Sequence, residues 1–278
     1  MKKHLLLSIA PFLAASASHA AVIAYEGFAT PPYSATNTGS TGYLDQVSTP
    51  GSLGFTGSWS GSNPGQTGSD FALTYGSLLT TSGAGAQWGQ VGDGRGQYQL
   101  ANPFTTSTAG TFYMSWLQRV TGGGTIGFSG MEFYSGTVSD SARKFYAGPR
   151  GGTWSAAVND ADNLNNATSS GVPVVAESTV LYVLKLELSA AALSDKVSFF
   201  VNPSSLGGAE PAGATVISTG TDFVTDRIGF ANFQDPSAGF DEFRIATTYA
   251  EVTPVPEPST ALLGLAGSLL LLRRRRLA

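Results

Sequence analysis

The chain has 278 residues, 42% of them hydrophobic, and a formal net charge of −4. It has no cysteine and only two histidines, His4 and His19, so disulfide bonds and cysteine metal sites are excluded. Its length suffices for one large hydrophobic core, so packing and hydrogen bonds can stabilise the fold without disulfides.

The first twenty residues have the pattern of a secretory signal peptide. Two lysines precede an apolar run over residues 5–15, and small residues follow it up to Ala20. Because signal peptidase accepts only small side chains just before its cut, we expect cleavage between Ala20 and Ala21. The alternative is a buried first helix, but Pro11 interrupts the run. Both histidines leave with this segment, which excludes a serine–histidine–aspartate site from the mature protein.

Removal of both ends makes the protein acidic. Six of the 15 basic residues lie in residues 1–20 and 273–276, whereas only one of the 19 acidic residues, Glu257, lies beyond Pro254. The part between them carries nine basic and 18 acidic residues, a formal charge of −9. An acidic protein with scattered bases is not a nucleic-acid binder.

Residues 21–252 are predicted to form one all-β domain. No apolar helical period is sustained over ten residues, whereas short runs alternate apolar and polar side chains. The clearest strand is Thr179 to Leu188, in which Tyr182, Leu184 and Leu186 share the inward face with Leu188. The other predicted strands are residues 22–28, 70–75, 97–101, 111–120, 125–134, 144–147, 196–201, 227–233 and 240–246. Residues 30–68 and 159–170 are predicted to be irregular.

Four parts of this region resemble the concanavalin A-like, laminin-G-like jelly rolls of exported bacterial proteins. They are residues 24–28 (AYEGF), 57–59 (GSW), the strand pair within 181–203, and 240–245 (FDEFRI). The resemblance implies two antiparallel sheets of six or seven strands packed face to face. It implies a fold and leaves the function open.

Carboxylates are the first candidates for catalysis, because hydrolases of this fold place acidic residues at alternate positions of one strand. No such run exists: Glu132 and Glu187 stand alone, and the adjacent Asp241 and Glu242 are expected to face opposite sides of a strand. A pair of distant carboxylates stays open as an alternative. We therefore predict no catalytic residue and a protein that is not an enzyme.

Calcium is the one metal that the remaining oxygen ligands suit, and Asp241 is the candidate ligand. We expect Asp241 to share a strand face with Phe243 and Ile245, where it could bind Ca²⁺ or accept backbone N–H groups. Glu242 and Arg244 are expected to form a solvated pair on the other face. No other cofactor is predicted.

Exposed aromatic rings are candidate platforms for sugar rings. Trp88 and Trp154 lie beside glycines near predicted loops and are the candidates for this role, with core packing as the alternative. Trp116 lies in an apolar strand and is expected in the core.

The C-terminal end combines three signals in a fixed order. Residues 255–260 (VPEPST) contain Pro256, Glu257 and Pro258, an apolar run follows at 261–272, and the basic tail consists of Arg273, Arg274, Arg275 and Arg276. The prolines favour an extended backbone. As a helix the run would span only about 18 Å, less than the hydrocarbon core, and the arginines favour a cytoplasmic C-terminus.

This ordered set over residues 255–278 resembles the PEP-CTERM sorting domain of Gram-negative bacteria. The resemblance implies recognition and cleavage by an exosortase, after export by signal peptidase, and transfer from the inner membrane to the cell surface or medium. Relatives often occur in organisms that make exopolysaccharide. A simple tail anchor is the alternative.

Three functions follow from the sequence. The first is a non-enzymatic surface or extracellular-matrix protein that engages extracellular polysaccharide. The second is a lectin-like glycan-binding module, with Ca²⁺ as an open possibility. The third is a polysaccharide-cleaving enzyme.

Overall fold

A computed structural model describes residues 22–28, 44, 52–62, 66–68, 71–80, 83–88, 94–121, 128–137, 139–158, 167–233 and 237–256. Its strands are β1 (Ala24–Glu26), β2 (Phe55–Ser62), β3 (Gln66–Gly68), β4 (Gly85–Trp88), β5 (Gly94–Phe104), β6 (Gly110–Val120), β7 (Phe128–Tyr134), β8 (Arg143–Arg150), β9 (Thr153–Val158), β10 (Thr168–Pro173), β11 (Thr179–Leu188), β12 (Asp195–Val201), β13 (Thr215–Thr221), β14 (Thr225–Phe233) and β15 (Ala238–Ala246). A 3-10 turn lies at Asp140–Ala142, and one short helix, α1, spans Tyr249–Val252.

The strands form two antiparallel sheets. The eight-stranded sheet has the order β13-β12-β11-β6-β15-β4-β3, with β1 also paired to β15. The seven-stranded sheet has the order β10-β9-β8-β7-β14-β5-β2. The predicted all-β class with two antiparallel sheets is confirmed, and the arrangement is consistent with a jelly-roll sandwich. The predicted signal helix and transmembrane helix lie outside the described residues.

The core between the sheets is built by period-two strands. Tyr182, Leu184, Leu186 and Leu188 of β11 all point into it, as the sequence pattern predicts. Trp116 of β6 is fully buried, as expected, and its ring stacks on Tyr182 at a centroid distance of 4.9 Å. Full burial of each such side chain contributes about 1.5–3 kcal/mol, so the β6–β11 pair supplies a large part of the stability.

The outer face of the eight-stranded sheet is also covered. Leu117, Leu181 and Val183 point to that side and pack against Leu73 and Leu78 of segment 71–80. Tyr249 and Val252 of α1 complete the same hydrophobic layer. Strand β11 is therefore buried on both faces over most of its length, and the alternating pattern predicted for it holds only at Lys185 and Glu187.

Several sequence predictions of secondary structure are wrong. Residues 71–80 run across the eight-stranded sheet without forming a strand, and within 30–68, predicted to be irregular, the structure forms β2 and β3. Residues 168–170, the end of the predicted loop 159–170, belong to the edge strand β10. Gly, Ser and Thr dominate β2 and β10, so their side chains carry little apolar alternation, and pairing with neighbouring strands fixes them instead.

The central strand β11 provides a test of this packing. We expect Leu184→Ala to lower the free energy of unfolding by about 2–5 kcal/mol, because Leu184 is fully buried between the sheets. Val175→Ala is the matched control: Val175 is 57% exposed, and its substitution should change stability by less than about 0.5 kcal/mol. Chemical denaturation measures both, and equal effects would contradict the described core.

Candidate functional site

The outer face of the seven-stranded sheet carries an ordered array of polar side chains. Tyr98, Phe133 and Ile228 point into the core. Because side chains alternate along a strand, the residues directly before and after each of them point outward. Cross-strand pairing places Gln97, Gly229, Glu132 and Tyr146 in one row across the sheet. We call the following residues the outer polar face: Arg95, Gln97, Glu132, Tyr134, Arg143, Tyr146 and Arg227.

Glu132 lies at the centre of this face and is fully buried. Its carboxylate accepts hydrogen bonds from Arg95 Nε at 3.0 Å, from Arg143 Nη1 at 2.8 Å and from the Tyr134 hydroxyl. Burial raises the pKa of Glu132 above its usual range, although both guanidinium groups oppose that shift. The carboxylate thus fixes the two guanidinium groups in position.

Glycines provide room for the two tyrosine rings. A Cβ on Gly130 would lie 2.7 Å from Tyr146 Cε2, and one on Gly229 would lie 3.0 Å from Tyr134 Cε2. The rings therefore occupy space next to positions that have no side chain, and both are fully buried. Burial raises the pKa of Tyr146, so its hydroxyl stays protonated and donates to the Pro149 carbonyl oxygen at 3.0 Å.

The solvent-accessible part of the face is cationic. The side chains of Arg95 and Arg227 are 17% and 26% exposed, and Arg227 Nη1 donates to Gln97 Oε1 at 3.4 Å. The strands of this sheet carry five of the nine basic residues found between residues 21 and 254, but only two of the 18 acidic ones. The strands of this sheet therefore carry a net positive formal charge, although the protein as a whole is acidic.

The chemistry available here is the binding of anions and the exchange of protons. Guanidinium groups recognise carboxylates and other oxyanions by charge-assisted hydrogen bonds, and the neighbouring glutamine can bind hydroxyl groups. Among the described residues, no group of three acidic or histidine side chains is placed to hold a metal ion.

Asp241 does not have the surroundings of a Ca²⁺ ligand. A bulge with φ +53° at Glu242 shifts the register of β15, so Phe240 and Phe243 both point into the core and Asp241 points to the opposite face. The prediction that Asp241 shares a face with Phe243 is therefore wrong. Its two oxygens accept the N–H groups of Leu73 at 2.9 Å and of Glu242 at 2.7 Å.

These N–H donors direct positive charge at Asp241, which suits a structural carboxylate and does not suit a cation site. Burial and the Glu242 carboxylate raise its pKa well above the usual range. Asp241 therefore attaches segment 71–80 to the sheet.

The pair Glu242–Arg244 is not solvated, contrary to the prediction. Both side chains are at most 5% exposed, with Arg244 Nη2 2.5 Å from Glu242 Oε2. Tyr25 also donates to Glu242, and Arg244 donates to the Leu79 carbonyl oxygen. The bulge and the cover provided by segment 71–80 explain this burial, and neither is evident from the sequence.

Neither predicted glycan platform is supported. Trp154 is fully buried and packs edge-on against Tyr182 at 5.8 Å, so it offers no face to a sugar ring, and that prediction is wrong. The backbone of Trp88 ends β4, paired with Ala238, and its side chain is not among those described.

The predicted processing sites lie almost wholly outside the described residues. Ala20, Ala21, Glu257, Pro258 and Arg273 to Arg276 are not described, whereas Pro256 is the last described residue and is exposed. Within the described part of the chain, no helix is long and apolar enough to span a membrane.

The sequence analysis missed the outer polar face, although a signal for it exists. Arg95, Gln97 and Gln99 alternate along one strand, as do Glu132 and Tyr134 along another. Polar residues with period two predict a solvated strand face. The alignment of four strands in one row depends on how the strands pair, which the sequence of a single strand does not reveal.

Comparisons with known proteins concern the fold. No protein-family model matches the chain, and no curated protein matches it. A carbohydrate esterase from Shiga toxin-encoding bacteriophage phi24B is similar in structure, with 13% identity, a TM-score of 0.47, and coverage of 82% of this chain and 99% of that one.

Two lyases are similar to a comparable degree. For an endo-β-1,4-glucuronan lyase from the fungus Trichoderma reesei, the identity is 10%, the TM-score is 0.43, and coverage is 66% of this chain and 90% of that one. For an alginate lyase in complex with alginate trisaccharide, the identity is 8%, the TM-score is 0.42, and coverage is 81% of this chain and 99% of that one.

These findings correct the prediction that the protein is not an enzyme. Two polysaccharide lyases and a carbohydrate esterase are among the structures similar to this chain, and these are the findings that overturn that prediction. At these identities the likeness concerns the fold, and it assigns no residue of this chain a role.

The Glu132 cluster gives a pH-dependent prediction. Arg143→Met should lower the free energy of unfolding by about 3–5 kcal/mol at neutral pH, because it leaves the buried Glu132 carboxylate short of a partner. The loss should shrink as the pH falls through the raised pKa of Glu132, because protonation removes the unpaired charge. Denaturant titrations of both proteins from neutral to acidic pH measure this loss of stability.

Arg119→Met is the matched control, because its partner Glu177 is 62% exposed and 4.0 Å away. Arg119→Met should lower the free energy of unfolding by less than about 1 kcal/mol at every pH. If the Arg143→Met penalty were the same at all pH values, the lost packing of the arginine stem, and not the buried charge, would account for it.

Proposed function

We propose that the protein is exported and sorted to the cell surface, where its concanavalin A-like jelly roll binds an anionic extracellular polysaccharide on the outer polar face. The observation that carries the binding proposal is the concentration of basic side chains on this one sheet of an acidic protein. The proposal for export and sorting rests on the two ends of the sequence.

The other sheet supports the choice of face. Its outer surface is covered in part by segment 71–80 and α1, and its charged side chains Lys185, Glu187, Lys196 and Glu210 pair with one another, so the cations there are matched by carboxylates. On the seven-stranded sheet, Arg95, Arg227 and the adjacent Gln97 are accessible and lie on neighbouring strands β5 and β14. Arg95 pairs with Ala231 and Arg227 pairs with Gln99, so the two arginines are four positions apart along the strands, about 13 Å, and an extended stretch of several sugars would reach both.

A second candidate function is cleavage of the bound polymer. The observation that favours it is the Tyr134–Glu132 hydrogen bond beneath two guanidinium groups, because burial moves the pKa of Glu132 towards neutral pH. A group that exchanges protons beside bound carboxylates meets a basic requirement of acid–base catalysis. Both groups are buried, so cleavage would require the ligand to displace covering side chains.

The binding proposal is tested with alginate as the anionic probe and a neutral glucan as its control. We expect alginate to bind, the affinity to fall as salt is raised, and the neutral glucan not to bind. Arg227→Gln should weaken alginate binding about tenfold, because it removes a charge-assisted contact while leaving the arginines of Glu132 in place. Calorimetry gives the affinities, and chromatography of the same samples detects any shortened product.

Lys196→Gln is the matched control, since Lys196 is an exposed cation on the eight-stranded sheet, 3.1 Å from Glu187. It should leave alginate binding unchanged. Equal losses in the two variants would show that net charge, and not the outer polar face, governs binding. Release of shortened alginate would establish the second candidate function.

Sorting is tested by a triple substitution. Pro256→Ala, Glu257→Ala and Pro258→Ala together should leave a full-length precursor in the inner membrane, because they remove the rigid motif that the processing enzyme would recognise. Fractionation and intact mass in the native host measure this. Ser259→Ala with Thr260→Ala is the control and should be processed normally. Normal maturation of the triple variant would refute the sorting assignment.

A further inference from the structure

A pocket of about 220 Å³ lies at the end of β12, beside the connection that leads from β12 to β13. Val201 and Asn202 line it from the strand, and Pro211, Ala212 and Gly213 line it from the connection. None of the described residues that line the pocket is charged, and none belongs to the outer polar face. The pocket is therefore a neutral site, separate from the cationic one.

One backbone position at this end of β12 has no partner strand. The Asn202 N–H donates to the Leu181 carbonyl oxygen of β11 at 2.9 Å. Because successive residues of an antiparallel strand direct their N–H and C=O groups to opposite sides, those of Val201 point away from β11. On that side β13 begins at Thr215, which pairs with Phe199. The N–H and C=O groups of Val201 thus lie beyond the last pair of the ladder, and no described residue bonds to them.

The Asn202 side chain adds a third polar group at the same place. Its Oδ1 accepts the Leu181 N–H at 3.1 Å, which fixes the orientation of the carboxamide. Asn202 is exposed, and its Nδ2, which carries two N–H donors, has no acceptor among the described residues. Its φ of +53° is a left-handed conformation that asparagine adopts more readily than most residues. The pocket therefore offers backbone and side-chain donors and one carbonyl acceptor, without net charge.

The size of the site favours a small ligand over an added strand. The next residue of the chain that would face the same side is Pro203, which has no N–H group, so the ladder cannot continue. The volume is also smaller than the roughly 300–1,000 Å³ of sites that hold drug-sized ligands. A single ring with neighbouring hydroxyl groups meets both limits. One hydroxyl can accept from the Val201 N–H while the next donates to its carbonyl oxygen.

The connection that forms the far wall is fixed to the eight-stranded sheet. Within it, Glu210 accepts a hydrogen bond from the Tyr113 hydroxyl at 2.5 Å and pairs with Lys185 Nζ at 3.0 Å. The Tyr249 hydroxyl donates to the Ser205 carbonyl oxygen at 2.7 Å. Because these contacts already hold the wall, a ligand does not have to order it, which favours binding.

We propose that this pocket binds one neutral sugar ring, as a free monosaccharide or as the end of a glycan chain. Two neighbouring hydroxyl groups pair with the Val201 backbone, and Asn202 Nδ2 donates to a third oxygen. A long neutral glucan has few chain ends, so it remains a suitable control for alginate binding. The inference goes beyond the proposed function and does not depend on it, because the pocket shares no residue with the outer polar face.

Nuclear magnetic resonance tests the proposal on isotope-labelled protein purified from its native host. The protein is titrated separately with glucose, galactose and mannose. We expect at least one of these sugars to shift the Val201 backbone amide signal and the Asn202 side-chain amide signals until they saturate. The dissociation constant should be on the order of 1 mM, because a single ring has few atoms to contribute affinity.

Two variants and a matched control locate the binding. Ala212→Phe should weaken it at least about tenfold, because Ala212 is exposed and a phenyl ring there occupies the pocket. Asn202→Gly tolerates the positive φ and should weaken binding about fivefold through the loss of one neutral hydrogen bond. Ala192→Phe, at an exposed alanine near the opposite end of β12, should leave binding unchanged. Amide spectra without sugar confirm that each variant folds.

Two results would overturn the proposal. One is the lack of a saturable shift with all three sugars. The other is a shift that Ala212→Phe leaves unchanged, because the sugar would then bind elsewhere. Alginate binding by the same variants should match the wild type, so a failure of this pocket is distinguishable from a failure of the outer polar face.

Discussion

The structure depends on the burial of β6 and β11 on both of their faces. One face of this strand pair builds the core with Trp116 and Tyr182, and the other carries Leu117 and Leu181 under a second hydrophobic layer. A sheet buried on both sides needs a cover, which segment 71–80 and α1 provide. The outward-facing side chains of the opposite sheet are mainly polar and need no hydrophobic cover, so that side can hold charged groups.

Sequence reasoning recovered what short-range patterns encode. The bounds of β11 and the inward placement of Leu184 follow from apolar alternation, and Trp116 was correctly expected in the core. It failed where pairing decides the structure, as in β2, whose Gly and Ser residues give no apolar signal. The bulge at Glu242 is a second example: one residue with positive φ reverses the expected facing of Asp241.

The candidate site was hidden for a related reason. In the sequence, no second carboxylate follows Glu132 at a suitable spacing, so this residue alone gives no signal of a site. Its partners Arg95 and Arg143 come from other strands, 37 and 11 residues away in the chain. Two of the buried glutamates also differ in role. Glu242, with Arg244, holds the cover of one sheet, whereas Glu132 organises the polar side of the other.

The exit of the chain and the outer polar face lie on opposite sides of the sandwich. Residues 249–253 pack on the outer side of the eight-stranded sheet, and the polar array belongs to the seven-stranded sheet, with the core between them. If the proposed sorting attaches the protein through the chain beyond Pro256, the attachment leaves the domain from the side of the eight-stranded sheet. Attachment and ligand binding would then use opposite surfaces and would not compete with each other.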